Sequence, residues 1–171
     1  TSTTPAPGAD PGHLFPTMKD YSQYGEQAAI LAHTPATGSL LDLGAFHPTE
    51  LSNSRALIEH RGYAAVLVDA GPTQVKNLAA FYKDVPKVRV VNALVVPASS
   101  PGQAHLLAVH MTDDAVSTTD TGVHGKWKET ALYYGIVHML PCPAQNFTRL
   151  GQGGLIDFIN IDVEGQSADI F

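Results

Sequence analysis

The chain has 171 residues, a length typical of one domain. Hydrophobic residues make up 44% of the chain and charged residues 15%, a composition that favours a folded core over intrinsic disorder. Ten Lys and Arg against sixteen Asp and Glu give a net charge of −6, and this sign disfavours a partner held through its phosphates. We therefore expect a globular protein that does not bind nucleic acid.

Neither a disulfide nor a structural zinc site is predicted, because Cys142 is the single cysteine and no Cys and His residues have zinc-site spacing. The apolar runs, such as residues 88–98, are shorter than the roughly 20 residues that cross a bilayer. Residues 1–20 are rich in Pro, Thr and Gly and lack the pattern of a signal peptide. We expect a flexible arm over 1–20, a domain over 21–171, a cytoplasmic location and no membrane partner.

The first half of the chain alternates predicted helices with short apolar strands. Good helix formers over 27–33 are followed by a Thr-Pro pair, which predicts a helix that stops there. Residues 40–44 form an apolar run that ends in a glycine, as buried parallel strands often do. A second helix is predicted over 51–61, with Gly62 as its C-terminal stop.

Two further apolar runs, over 64–69 and 88–96, are predicted strands on either side of a third helix. Pro72 suits the first turn of that helix, and apolar residues recur from Val75 with helical spacing. Strands that alternate with helices at this spacing predict a parallel sheet with right-handed crossovers. We therefore expect an α/β, Rossmann-like fold, with a mostly parallel sheet and helices on both faces.

The second half of the chain is less regular. Residues 104–110 and 136–140 are predicted strands, separated by the polar stretch 112–128. A last apolar run over 155–162 ends in the acidic sequence DVEG. Because its apolar residues suit burial on both faces, we expect this strand to need a covering neighbour.

The end of the first strand carries Asp42, Gly44 and Ala45, and ligands of open parallel sheets bind outside the carboxyl ends of the strands. A glycine there permits a sharp turn and a close approach of the backbone to a ligand. Asp42 supplies an acid within reach of a polar or cationic group. An isolated DxG after a strand also occurs by chance, and the order of the strand ends is what favours a ligand site.

Asp69 ends the second strand, where a carboxylate can accept hydrogen bonds from both hydroxyls of a ribose. Asn92 and Ala93 lie in the third strand, where an amide could bind an adenine edge and a small side chain would leave room for the ring. An acid at the end of a strand is often simply a helix cap. Both interpretations of Asp69 stay open from the sequence.

The sequence of the loop after the first strand indicates which class of nucleotide ligand it suits. A pyrophosphate site favours G-x-G-x-x-G, whereas Gly44 is followed here by AFHP, which leaves few N–H groups for phosphates. A nucleoside ligand without phosphates, such as S-adenosylmethionine, suits this loop better.

Four blocks of sequence carry a family resemblance: SQYGEQ at 22–27, LLDLGAFHPTELSNSRAL at 40–57, GYAAVLVDAGP at 62–72 and IDFINIDVEGQ at 156–166. In this order they resemble the FkbM-type S-adenosylmethionine-dependent methyltransferases. The resemblance implies a class I methyltransferase fold and transfer of a methyl group from S-adenosylmethionine, with a hydroxyl oxygen of a small molecule or sugar as acceptor.

The resemblance also implies roles for individual positions. The implied cofactor-binding residues are Asp42, Gly44 and Ala45 with Asn53 nearby for the methionine part, Asp69 for the ribose, and Asn92 and Ala93 for the adenine. Asp162 and Glu164 of DVEG would face the methyl group and the acceptor as catalytic residues. The alternative for these two acids is an ordinary pair that orients the loop and begins a helix.

Two departures bear on function. Asp69 is followed by AGP, where the resembling sequences more often have an Asn or Glu nearby, and the strands that the fold has after DVEG do not follow here. We expect these C-terminal strands to come from a longer chain, or their place to be taken by a second copy. The alternative function is a catalytically silent module of the same fold, used for ligand binding or assembly.

His47 has two possible roles: a metal ligand together with Asp162 and Glu164, or a hydrogen bond that supports its own loop. No two histidines have helical metal-ligand spacing. The sequence therefore predicts no metal.

Overall fold

The computed structural model describes residues 18–96, 103–110, 136–146, 155–163 and 170, with the backbone alone described for 96, 103–110 and 136–146. Within this part of the chain the helices are α1 (Glu26–His33), α2 (Arg55–Arg61) and α3 (Pro72–Phe81). The strands are β1 (Ser39–Leu43), β2 (Ala64–Asp69), β3 (Val88–Asn92), β4 (Leu94–Val96), β5 (Gln103–His110), β6 (Ile136–Asn146) and β7 (Phe158–Ile161). No helix among these residues is long and apolar enough to cross a membrane.

A four-stranded parallel sheet in the order β3-β2-β1-β7 organises the described residues. Leu41 of β1 lies opposite Val66 of β2 and Ile159 of β7, so β1 has a parallel neighbour on each side. β3 pairs with β2 in the same direction. These pairings confirm the predicted α/β character and the mostly parallel sheet.

The two faces of this sheet bury different apolar clusters because successive side chains in a strand point to opposite sides. Leu40 and Leu67 face a cluster that contains Leu31 of α1, Leu57 of α2 and Leu78 of α3. The other cluster lies on the opposite face and contains no residue of these helices, and its buried members are Leu41, Leu43, Val68, Ala93, Val95 and Ile170. In the described part of the chain, the expected helices therefore cover one face.

The second helix is shorter than predicted and begins at Arg55 rather than at residue 51. Leu51 has a φ of 55°, which lies in the left-handed region and is incompatible with a right-handed helix. The Oγ of Ser52 accepts a hydrogen bond from the N–H of Arg55, as serines before a helix commonly do. Residues 51–54 therefore form a polar loop that leads into α2.

The predicted third strand over 88–96 is two strands that belong to different sheets. β3 ends at Asn92, and the next N–H, that of Ala93, turns to the carbonyl of Asp69. β4 then pairs in parallel with β6, opposite Ala144–Asn146. The apolar pattern ran through the break because Ala93 is itself buried, at 1% exposure.

The second sheet has the order β4-β6-β5. β5 and β6 are antiparallel, with His110 opposite Ile136, and both predicted strands are present. β6 continues six residues beyond the predicted end at 140, to Asn146, although it contains Pro141 and Pro143. The predicted polar loop over 112–128 lies outside the described residues.

The chain before α1 is attached to the core by backbone contacts. Gln27 is buried; its Oε1 accepts from the N–H of Tyr21 at 3.0 Å and its Nε2 donates to the carbonyl of Lys19 at 2.9 Å. The carbonyl of Tyr21 accepts from the N–H of Ser52 at 2.7 Å. This segment therefore holds the loop before α2, while residues 1–17 of the predicted arm lie outside the described residues.

Arg61, at the end of α2, satisfies carbonyl groups at the end of α1. Its guanidinium donates to the carbonyls of Leu31, Thr34 and Pro35, and also to the Thr34 hydroxyl at 2.8 Å. The last carbonyls of a helix have no partner within the helix, and a cation there also interacts favourably with the negative end of the helix dipole. The side chain of Arg61 thus links α2 to the end of α1.

Replacing Arg61 by Ala should lower the free energy of unfolding by about 1–2 kcal/mol, because several helix-end carbonyls lose a charged donor. Urea unfolding measures this loss. The control is Arg89→Ala, which removes an exposed arginine from β3 and should change stability by less than about 0.5 kcal/mol. Equal losses in the two variants would contradict the role of Arg61.

Candidate functional site

The predicted site residues converge at the carboxyl edge of the parallel sheet. In the register, Leu43 lies opposite Val68 on one side and Ile161 on the other, and Asp69 lies opposite Asn92. Since all four strands run in the same direction, the loops that follow them meet at one edge. The structure therefore brings together the sequence-predicted positions on the first, second, third and last strands of this sheet.

Gly44 turns the chain at the end of β1 with a φ of 84°. A Cβ added here would clash with the carbonyl oxygen of Asp162. The structure thus supplies an intramolecular reason for the glycine, beyond the predicted approach of a ligand. The loops after β1 and β7 touch through their backbones at this point.

Asp69 joins the loop after β1 to the loop after β2. Its Oδ2 accepts from the N–H of Phe46 at 2.9 Å, and its Oδ1 accepts from the N–H of Gly71 at 2.8 Å. Phe46 has a φ of 47°, an unfavourable conformation for a side-chain-bearing residue that this hydrogen bond helps to hold. Asp69 is half-buried at the edge, where its carboxylate also shapes the loops around it.

Asn92 and Ala93 have different surroundings although they are adjacent. Asn92 is exposed, and its Nδ2 donates to the carbonyls of Asp69 and Ala70, both at 3.1 Å. Ala93 belongs to the apolar cluster on the face opposite the helices. At this strand end the exposed amide, rather than the alanine methyl, is accessible from the solvent.

The amides of the loop after β1 already have acceptors within the protein. The N–H groups of Gly44 and Ala45 both donate to the carbonyl of Val68, at 2.9 and 3.0 Å. The next N–H, that of Phe46, donates to Asp69, and Pro48 has none. Because three successive N–H groups already donate within the protein, they are not available to bind phosphates. This agrees with the prediction from the loop sequence that a pyrophosphate is not the ligand.

A chain of polar side chains links β1, β7 and the loop before α2. The Oδ1 of Asp42 accepts from the Nδ2 of Asn160 at 2.8 Å. The Oδ1 of Asn160 in turn accepts from the Nδ2 of Asn53 at 3.3 Å. Asp42 and Asn53, both predicted to lie near the methionine part of the donor, are thus connected through one residue.

Sequence reasoning missed Asn160. The signal was a single polar residue in the apolar run FINI of β7, and Asn160 lies directly opposite Asp42 in the register. A polar residue inside an apolar strand needs a buried partner. Without the strand pairing, the sequence could not show which residue that partner was.

Burial raises the pKa of Asp42 above its ordinary value of 3.8, because the carboxyl is 1% exposed and the charged form loses its hydration. The hydrogen bonds from Ser54 and Asn160 oppose this effect, and the negative charge of Asp162 adds to it.

Burial likewise raises the pKa of Tyr82 to about 12, so this phenol is neutral in ordinary buffers.

The predicted catalytic acids follow β7. Asp162 is exposed, and its N–H donates to the carbonyl of Leu43 at 2.9 Å, which fixes its backbone beside the end of β1. Glu164 lies outside the described residues.

The Nδ1 of His47 accepts from the N–H of Thr49 at 3.3 Å. This contact confirms the predicted support of the loop by this histidine. Among the described residues, no group of three or more His, Cys, Asp or Glu could hold a metal ion.

Comparisons with known proteins identify no relative: no family model, no curated protein and no solved structure matches the chain.

Gly44→Ala should destabilise the protein more than Gly62→Ala does. Both glycines have a positive φ, but a Cβ at Gly62 meets nothing within 4 Å, so only the backbone conformation costs energy there, about 1–2 kcal/mol. At Gly44 the clash with Asp162 should add about 1–3 kcal/mol. Urea unfolding of both variants isolates the clash, and equal losses would show that the loops after β1 and β7 do not touch.

Asp42→Asn should change how stability depends on pH. A raised native pKa means that Asp42 favours folding below its unfolded value and that this contribution is lost as the pH rises through the native value. Asparagine does not ionise, and its carbonyl can still accept from Asn160. Across this window the variant should therefore gain stability relative to the wild type, by up to about 1.4 kcal/mol for each pH unit.

Urea unfolding at a series of pH values measures this difference. The matched control is Asp84→Asn, because the side chain of Asp84 is 87% exposed. If the Asp42→Asn profile stays parallel to that of the wild type, the carboxyl is not the source of the dependence.

Proposed function

We propose that this protein is an S-adenosylmethionine-dependent methyltransferase that acts on a hydroxyl oxygen of a small molecule or sugar. One observation carries the proposal: Gly44, Asp69, Asn92 and Asp162 lie at the carboxyl ends of four adjacent parallel strands and meet at one edge. The loop motifs at this edge are also those that resemble FkbM-type methyltransferases. The strand order and the motifs support the same class I methyltransferase fold.

The residues at this edge suit a nucleoside that lacks a phosphate chain. Asp69 would accept the ribose hydroxyls, because a carboxylate offers about four acceptor positions and the two loop amides do not exclude further donors. The Oδ1 of Asn92 would face the adenine edge. The amides that a pyrophosphate would need are bound to Val68 and Asp69, which favours a sulfonium nucleoside over a dinucleotide.

The first strand and its neighbours would hold the amino-acid part of the donor, near Asp42, Gly44, Ala45 and Asn53. The Oδ1 of Asn53 is buried and has no hydrogen-bond partner among the described residues, so a polar ligand group would satisfy it. When bound, S-adenosylmethionine supplies an electrophilic methyl group. Both the hydrogen-bonding groups and their position at the strand ends therefore support S-adenosylmethionine as the cofactor.

Asp162 and Glu164 would orient the acceptor hydroxyl, and one of them would take its proton. Methyl transfer depends mainly on alignment of the reacting atoms, so orientation by these acids would supply much of the rate. The exposed position of Asp162 beside the end of β1 supports this role, because an acceptor could reach it from solvent.

Calorimetric titration with S-adenosylhomocysteine, the demethylated product, tests the proposal. Asp69→Ala should weaken binding about tenfold or more, because a charged acceptor for the ribose hydroxyls is lost. The matched control is Asp157→Ala, since Asp157 also accepts a backbone N–H, that of Ser39 at 2.8 Å, but lies at the opposite end of the sheet. This control should keep the wild-type affinity.

A folded wild-type chain that binds neither S-adenosylmethionine nor S-adenosylhomocysteine would contradict the proposal. If both aspartate variants lose affinity equally, only the ribose role of Asp69 is contradicted, and the proposed cofactor is not. Methyl transfer from labelled S-adenosylmethionine to hydroxyl compounds then separates an enzyme from a binding module of the same fold.

A further inference from the structure

The polar chain beneath the site has a direction that is set at Asp42. The carboxyl oxygen of Asp42, 2.8 Å from Asn160, accepts its hydrogen bond, so the amide of Asn160 must present Nδ2 to it. The Oδ1 of Asn160 then points to the neighbouring amide. An acid at position 42 thus fixes the orientation of Asn160.

The orientation passes on to Asn53. Since Asn160 offers an oxygen, Asn53 must present its own Nδ2, and the two atoms lie 3.3 Å apart. The Oδ1 of Asn53 is left as the end of the chain, buried and without a donor among the described residues. A buried acceptor without a donor is unfavourable, and a ligand that donates a hydrogen bond would remove this penalty.

We propose that Asn160 is a positioning residue which, held by Asp42, makes Asn53 a hydrogen-bond acceptor for the ammonium group of the donor's amino-acid part. This inference rests on the proposed function and adds a requirement for a hydrogen-bond donor on the ligand. The site should select a ligand that donates a hydrogen bond at this point and reject one that cannot. Neither Asn160 nor the direction of the chain was apparent from the sequence motifs.

The ligand test compares S-adenosylhomocysteine with the analogue that lacks only its amino group. Calorimetry on the wild-type chain should show about tenfold or more weaker binding of the analogue. In Asn53→Leu this preference should disappear, because leucine cannot accept a hydrogen bond. If the wild-type chain binds S-adenosylhomocysteine and the analogue with equal affinity, the proposal is overturned.

Asn53→Asp distinguishes an acceptor from a structural amide. Aspartate has the shape of asparagine and keeps an acceptor, so the preference for the amino form should persist or increase. If Asn53 only supported the loop, Asn53→Asp and Asn53→Leu would have similar effects, since both lose the donor to Asn160. Loss of the preference in Asn53→Asp would therefore contradict the acceptor role.

Asn160→Leu tests the positioning role, because it removes both hydrogen bonds at nearly constant volume. The preference for the amino form should fall toward one, although Asn160 itself touches no ligand. An unchanged preference in this variant, with ligand binding retained, would overturn the role of Asn160 and leave the proposed function intact.

A measurement without ligand checks the chain itself. In nuclear magnetic resonance spectra, the side-chain NH₂ protons of Asn53 and Asn160 should exchange with solvent more slowly than those of the exposed Asn77. Asn160→Leu should accelerate exchange at Asn53. Equally fast exchange at all three asparagines would show that the hydrogen-bonded chain does not form, whether or not the protein binds S-adenosylhomocysteine.

Discussion

The junction of Val68 and Asp69 at the end of β2 holds the carboxyl edge of the sheet together. The carbonyl of Val68 accepts the N–H groups of Gly44 and Ala45, and the side chain of Asp69 accepts that of Phe46. The carbonyl of Asp69 accepts the N–H of the residue after β3. Three strand ends are therefore fixed by two consecutive residues, and the shape of the candidate site follows from this junction.

The same hydrogen bonds decide what the site can recognise. Backbone amides that hold the loop to β2 are not available to an anion, so recognition falls to side chains that accept hydrogen bonds. Asp69 and Asn53 supply such acceptors, and each is held by contacts from another element. A ligand rich in hydroxyl and amino groups is the natural complement of these residues, which agrees with a nucleoside that carries an amino acid.

Much of the sheet was predictable because its signals are local. The apolar runs of β1 and β2 and the proline that begins α3 lie within a few residues of the structure they specify. The alternation of these elements with helices predicted the parallel direction, and parallel direction placed Asp42 and Asp69 at a common edge. The positions of the candidate site therefore followed from patterns of strands and turns that the sequence displays directly.

The contacts among those positions depended on the tertiary structure. Asn160 meets Asp42 across 118 residues of chain, and the clash that requires glycine at position 44 comes from Asp162 on another strand. The break between β3 and β4 likewise depends on a carbonyl of β2, at Asp69. Local periodicity shows which face of a strand is buried, but only the register between strands decides which polar groups meet. The amino-acid sequence by itself thus determined most of the strands and the edge where the candidate site lies. Tertiary pairing determined the break between β3 and β4 and the partners of the polar groups, because hydrogen bonds between distant segments leave no local pattern.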